Sequence, residues 1–239
     1  MPLAVSMAHL SLPHSRPYPD RFRSHAGAGG FCQTATGCGI DDIRIDIIKL
    51  GMLPNAEVCR AIAPYLADMT VVCDPVMITT SGCSLIDDPA VAALVSDIIP
   101  KADYLTPNQD ELKTLYGREI DTIPAAGRDL LARFENLSGI ILKGGHVDTD
   151  LPEVTDVLLL KENGRILEMA ETSPRYHTRN THGTGCTFAS AFAAFLAQKH
   201  PPAAAFKKAV AFTNGLIALS QDSPIGQGSG PLLHHQYQR

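Results

Sequence analysis

Tryptophan is absent from this 239-residue chain and aromatic residues make up only 6%, yet 45% apolar and 19% charged residues is an ordinary composition for a soluble globular protein. Basic excess is missing too. The formal net charge is −5, which argues against nucleic acid and anionic membrane surfaces as partners, since both demand clustered positive charge. No apolar run approaches the ~20 residues of a membrane span. The six cysteines form no C-x-x-C pair and no His/Cys ligand spacing, so neither a zinc site nor a disulfide framework is indicated. A reducing cytoplasm is the compartment this implies. Internal repeats are absent, and no continuous h-region marks a secretory signal. The length suits one domain with a substantial core, or two small ones.

Residues 1–39 read as an atypical leader. Proline, histidine, arginine and serine recur there without periodic apolar spacing, and Asp20 is the single acid of the first 30 residues. That pattern predicts disorder. An acid-poor leader of this kind weakly resembles an organelle transit peptide, although its prolines oppose an amphipathic helix. Gly27-Ala28-Gly29-Gly30 follows no strand, so a flexible linker is a better reading than a nucleotide loop.

From Ile40 the pattern changes. Apolar runs ending at Gly51, at Asp74-Pro75, at Thr106-Pro107 and at Lys143 predict strands, of which 139–142 is continuous enough to be buried on both faces. Helical spacing lies between them: 55–67 with Pro64 as a kink, a helix capped by Asp88 with Pro89 in its first turn, one starting at Asn108, and one over 122–134. Val157–Leu160 and Arg165–Glu168 flank Asn163-Gly164, a hairpin signal. Helices over 184–198 and about 202–220 close a domain spanning 40–225, and 226–239 reads as a tail. Strand and helix alternating, then a hairpin, predicts an α/β fold: a mostly parallel sheet, helices on both faces, and an antiparallel edge. Ligands of such sheets bind beyond the carboxyl ends of the strands.

One stretch stands out. Gly183-Thr184-Gly185-Cys186 precedes an apolar helical face made by Phe188, Ala189, Phe192, Phe195 and Leu196. A helix start leaves unpaired N–H groups and partial positive charge, and glycines let a ligand approach the backbone, so the segment suits phosphate. The same dipole would favour the Cys186 thiolate. The competing reading is a glycine loop before a core helix, with Cys186 as a small buried apolar residue. Asp74, Asn108, Glu111 and Lys143 fall at successive strand ends and could meet this loop, the acids holding Mg²⁺ through water and the lysine neutralising phosphate. Each also has a plainer explanation. Asn108 and Glu111 have capping-box spacing, Asp74 precedes a proline, and Lys143 could be a solvated strand end. His146 and His182 read as loop histidines.

Together, Asp74-Pro-Val-Met77, Thr106-Pro-Asn-x-x-Glu111, Leu142-Lys-Gly-Gly-His146 and Asn180-Thr-His-Gly-Thr-Gly-Cys-Thr187 resemble the hydroxymethylpyrimidine/phosphomethylpyrimidine kinases of thiamine biosynthesis, members of the ribokinase-like superfamily. The resemblance covers about 40–225. It implies ATP-dependent phosphorylation of a hydroxymethylpyrimidine and of its monophosphate, with ATP and Mg²⁺ as cofactors, a small-molecule partner, and a homodimer as the form common in the family. Carried over by residue, the amides of Gly183, Thr184, Gly185 and Cys186 would form the anion hole, with Cys186 in the catalytic-base position and against the substrate. Asn108, Glu111, Lys143 and Thr181 would serve ATP, Glu111 and Asp74 the metal, and Met77 the pyrimidine ring. The family's opening Gly-x-Asp-x-x-Gly-Gly-Ala-Gly segment and Gln-Asn dipeptide are not found, so the first strands of the fold are expected to be missing. The alternatives are therefore a catalytically impaired nucleotide-binding remnant, or a pyridoxal kinase.

Overall fold

The structure is a computed structural model and describes residues 4–6, 45–78, 85–145, 150–225 and 228–237. Among these residues one sheet of seven strands runs in the order β1 to β7. They are β1 (Ala4–Ser6), β2 (Ile47–Leu50), β3 (Thr70–Cys73), β4 (Tyr104–Leu105), β5 (Gly139–Leu142), β6 (Glu153–Glu162) and β7 (Arg165–Pro174). The first five are mutually parallel, while β5, β6 and β7 pair antiparallel. The helices are α1 (Ala56–Ile62), α2 (Asp88–Ala93), α3 (Gln109–Tyr116), α4 (Ile123–Arg133), α5 (Thr184–Ala197) and α6 (Pro202–Ser220).

Alternation along the strands builds two cores. Ile48, Leu50, Val71, Cys73, Leu105, Ile140 and Leu142 point to one face and pack with α1 to α4. Ile47, Val72, Tyr104 and Ile141 point to the other, against α5 and α6. Side chains two residues apart share a face, so the continuous apolar strands of the sequence are those covered on both sides. Fully burying one such aliphatic side chain stabilises the fold by about 1.5–3 kcal/mol.

Local chemistry accounts for the boundaries. α1 ends at Ile62, and Ala63–Leu66 tightens into a 3-10 turn around Pro64, which has no N–H to continue the α pattern. The predicted Asp88 cap is displaced by one residue: Asp87 caps α2 by accepting from Ala90 N at 2.9 Å, which leaves Asp88 and Pro89 inside the first turn. After α2 the chain widens into a π turn over Leu94–Ile98 before a 3-10 turn at Ile99–Lys101. The hairpin is longer than its apolar centre suggested. It turns through Asn163 (φ 51°) and Gly164 (φ 74°), both left-handed as such a two-residue turn requires.

β1 lies within the segment read as a disordered leader. Ala4–Ser6 pairs in parallel with Ile47–Lys49, so those three residues cover the β2 edge. The remainder of 1–44, including Gly27–Gly30, lies outside the described residues, as do Thr79–Gly82 and His146. At the other terminus the segment read as a tail packs against α5 and α6. Leu232 and Leu233 are buried, Leu233 N donates to Ser220 Oγ at 2.8 Å, and Thr187 Oγ1 lies 2.8 Å from His234 Nε2.

Candidate active site

The carboxyl ends of the parallel strands are tied into a common ledge by backbone hydrogen bonds that continue the ladder past the last sheet residues. Asp74 N donates to Leu50 O at 2.9 Å, Thr106 N to Cys73 O at 3.0 Å, and Lys143 N to Pro107 O at 3.0 Å. The residues that follow β3, β4 and β5 therefore stand side by side. Gly144 cannot carry a side chain, because a Cβ there would overlap the Thr155 backbone of β6, and its N–H donates to Asp156 Oδ1 at 2.8 Å. This pins the turn that presents Lys143.

On that ledge four charged side chains meet. Lys143 Nζ donates to Asp74 Oδ1 at 2.8 Å and lies 3.6 Å from Glu111 Oε2. Thr106 Oγ1 donates to the same Asp74 oxygen at 3.0 Å. Lys49 Nζ approaches the other oxygen, Asp74 Oδ2, at 3.7 Å. Burial alone would raise the Asp74 carboxyl, but Lys143 and Lys49 together hold it below the usual carboxylate range. Glu111 goes the other way. Its burial, aided by the Asp74 charge, outweighs Lys143 and leaves it raised. Burial would push Lys143 down, yet Asp74 and Glu111 raise it well above an ordinary lysine, so it is a firm cation.

The cap and the charge reading of Asn108 and Glu111 hold together. Asn108 Oδ1 accepts from Glu111 N at 2.8 Å and Glu111 Oε2 accepts from Asn108 N at 2.8 Å, a complete capping box at the start of α3. Among the described residues both contacts of Glu111 run through Oε2, and none runs through Oε1.

The start of α5 closes over this network. Gly183 caps the helix at φ 84°, a left-handed conformation that an L side chain would strain. A Cβ on Gly185 would come within 3.2 Å of Lys143 Nζ, which measures how closely the backbone of the first turn lies on that ammonium. Of the four amides expected to receive an anion, that of Thr184 is engaged within the turn. Thr184 N donates to Thr181 O at 3.2 Å and Thr184 Oγ1 to the same oxygen at 2.7 Å, because the turn into α5 uses both groups. Among the described residues the amides of Gly183, Gly185 and Cys186 have no backbone acceptor, and Thr181 O holds the turn.

Cys186 is exposed, and its thiol senses Lys49, Asp74, Lys143 and Glu111. The thiolate expected from the helix dipole is not favoured. Partial burial of the sulfur, with Asp74 and Glu111 behind it, outweighs the lowering by Lys49 and Lys143 and raises the thiol above its usual range. Met77, expected against a substrate ring, is 2% exposed and belongs to the core on the α1–α4 face. His182 is exposed and donates its amide to Gly230 O at 3.1 Å.

Lys49 and Thr106 were not picked out from the sequence. Thr106 read as the end of a strand and the start of the Thr-Pro-Asn-x-x-Glu motif, with no role of its own. Lys49 carried a usable signal, a lysine inside an apolar strand on the face opposite Ile48 and Leu50.

A family model described as phosphomethylpyrimidine kinase matches residues 30–233. The hydroxymethylpyrimidine/phosphomethylpyrimidine kinase of Haemophilus influenzae is 38% identical over 203 residues, covering 83% of this chain and 74% of the relative. The Escherichia coli enzyme of the same name is 34% identical over 200 residues, covering 81% and 72%. Among solved structures, the pyridoxal kinase from Staphylococcus aureus in complex with AMP-PCP and pyridoxal is 25% identical with a TM-score of 0.69, covering 89% of this chain and 74% of that one. An ADP complex of Bacillus subtilis pyridoxal kinase gives a TM-score of 0.71 at 26% identity, covering 85% and 75%. The fold is thus ribokinase-like, and the motif residues that converge beneath α5 are those on which the sequence resemblance was built. This chain belongs to the phosphomethylpyrimidine kinase family.

Proposed function

We propose that this protein transfers the γ-phosphoryl group of ATP to the hydroxyl of 4-amino-5-hydroxymethyl-2-methylpyrimidine, and then to the phosphate of the resulting monophosphate. The observation that carries this reading is the meeting of Lys143 with Asp74 and Glu111 directly beneath the first turn of α5. Phosphoryl transfer asks little covalent chemistry of a protein. Its needs are alignment and neutralisation of charge on the equatorial oxygens. The Gly183, Gly185 and Cys186 amides would donate to those oxygens, and Lys143 would supply a cation from below.

The donor set fits Mg²⁺ at one point. Mg²⁺ keeps several waters and takes one or two carboxylates along with phosphate oxygens, which Glu111 Oε1 can satisfy. When bound it would supply charge neutralisation to the phosphate oxygens. Asp74 suits direct ligation poorly, since both its oxygens face ammonium groups. We therefore assign Asp74 to holding Lys143. Cys186 would take the hydroxyl proton late, while the bond to phosphorus forms; a protonated resting thiol means that the proton it carries must first leave, through water at this exposed position.

The test is a coupled assay of ADP release with hydroxymethylpyrimidine, its monophosphate, and pyridoxal. Turnover with both pyrimidines above that with pyridoxal is expected. Preference for pyridoxal would move the substrate to that of the structural neighbours. No turnover with any, but a melting shift with Mg-ATP, would select a nucleotide-binding remnant.

A further inference from the structure

Lys49 is buried in the second core, and its Nζ has no hydrogen-bond partner. Asp74 Oδ2, 3.7 Å away, has none either. A buried carboxylate thus has two cations, one on each oxygen. They differ in one respect. The Lys49 side chain is 2% exposed, whereas that of Lys143 is 13% exposed and sits against the backbone of the first turn. Lys143 lies against the backbone that would cradle an anion at α5, while Lys49 also bears on the Cys186 thiol; drawing Lys143 to that anion takes it away from Asp74 Oδ1.

That movement poses an electrostatic problem. A wholly buried carboxylate stripped of its counter-ion is strongly unfavourable, so Asp74 would resist releasing Lys143. We propose that Lys49 is a positioning residue that resolves this: it closes onto Asp74 Oδ2 as Lys143 turns to the triphosphate, so that the buried charge is never left alone. Among the described residues neither atom is committed to another hydrogen bond, so each is free to close on the other. Lys49 does not touch the phosphate and acts through Asp74 and Lys143. The inference rests on the phosphotransferase reading given above.

The experiment compares wild type with Lys49→Met, Lys49→Arg, Asp74→Asn and Lys49→Met/Asp74→Asn. Affinity for Mg-AMP-PCP is measured by calorimetry, and turnover with hydroxymethylpyrimidine in parallel. Lys49→Met is expected to weaken nucleotide binding at least about tenfold, a loss of ~1.4 kcal/mol. Removing the Asp74 charge as well should recover most of it, because only the more distant Glu111 then holds Lys143 back. Lys49→Arg should retain most binding. If Lys49→Met does not fold, the comparison of Asp74→Asn with the double variant decides alone. Equal or tighter binding by the double variant supports a positioning residue, and tenfold weaker binding shows that Lys49 contacts phosphate directly and overturns the proposal. Unchanged binding in Lys49→Met overturns it as well. Wild type that neither binds nor turns over would instead remove the phosphotransferase reading.

Discussion

Lys143 and Asp74, 69 residues apart in sequence, form a direct ion pair of 2.8 Å at the carboxyl edge of the sheet. Removing one member should therefore show in both stability and activity. Lys143→Met is expected to cut turnover by roughly a hundredfold, the scale of losing one charge-stabilising donor. Its stability loss should stay below the ~3–5 kcal/mol typical of orphaning a buried charge, because Lys49 still faces Oδ2. Denaturant melts and steady-state kinetics read the two effects separately. Lys143→Arg should not rescue, since a planar fork does not replace a point charge between Asp74 and Glu111.

Glu111 serves as both cap and ligand candidate, and two substitutions separate these. Glu111→Gln keeps an oxygen for Asn108 N, so α3 should remain capped and Tm should change by no more than about 2–4 °C, the shift for ~1 kcal/mol in a domain of this size. Turnover should nevertheless fall more than tenfold, with the required Mg²⁺ concentration rising. Glu111→Ala should lose both. Full activity in Glu111→Gln would reduce this residue to a cap.

Gly185→Ala tests how closely α5 lies on Lys143. Alanine favours a helix over glycine by up to ~1 kcal/mol, so melting should hold or improve. The new methyl, 3.2 Å from Lys143 Nζ, would push the ammonium aside and lower turnover at least about tenfold. A variant as active as wild type would mean that Lys143 adjusts freely and that its place beneath the helix is incidental.

Cys186→Ala should lose about a hundredfold in turnover while nucleotide affinity survives, if the thiol serves proton transfer. Equal loss of both points to a structural cysteine. The raised thiol gives a second readout. Iodoacetamide labelling of the Cys186 peptide, followed by mass spectrometry, should be slow at neutral pH and accelerate only above the ordinary thiol range.

Acid stability has opposing contributions here. Asp74 lies below its ordinary value when folded, so its ionised form contributes stability that is present above ~pH 4 and lost as pH falls through the folded value. Glu111 is raised, so its ionisation costs stability at neutral pH, and that cost lifts as pH falls through its higher value. Melting temperatures across the acid range should show Asp74→Asn flattening the steep acid limb, and Glu111→Gln flattening the change above it. An unaltered acid limb in Asp74→Asn would contradict the buried pairing.

Periodicity and punctuation alone made most of the fold legible. Thr70–Cys73, Gly139–Leu142 and the start of α5 at Thr184 emerged where the pattern placed them, because local propensity and binary pattern there agree with the tertiary environment. Asp87 rather than Asp88 caps α2, since either carboxylate suits the spacing and only backbone direction chooses. Met77 packs into the core on the α1–α4 face, which no local motif specifies.

What the amino-acid order determined by itself is which residue types occupy successive strand ends, since strand length, glycine and proline set those ends locally. What only the tertiary structure decided is their electrical character. Lys49 became a buried second cation for Asp74, and the Cys186 thiol was raised instead of lowered, because desolvation and charges from β2, β3, β5 and α3 converge on one point. Such energies depend on distances between segments far apart in the chain, and those distances exist only after the sheet has formed.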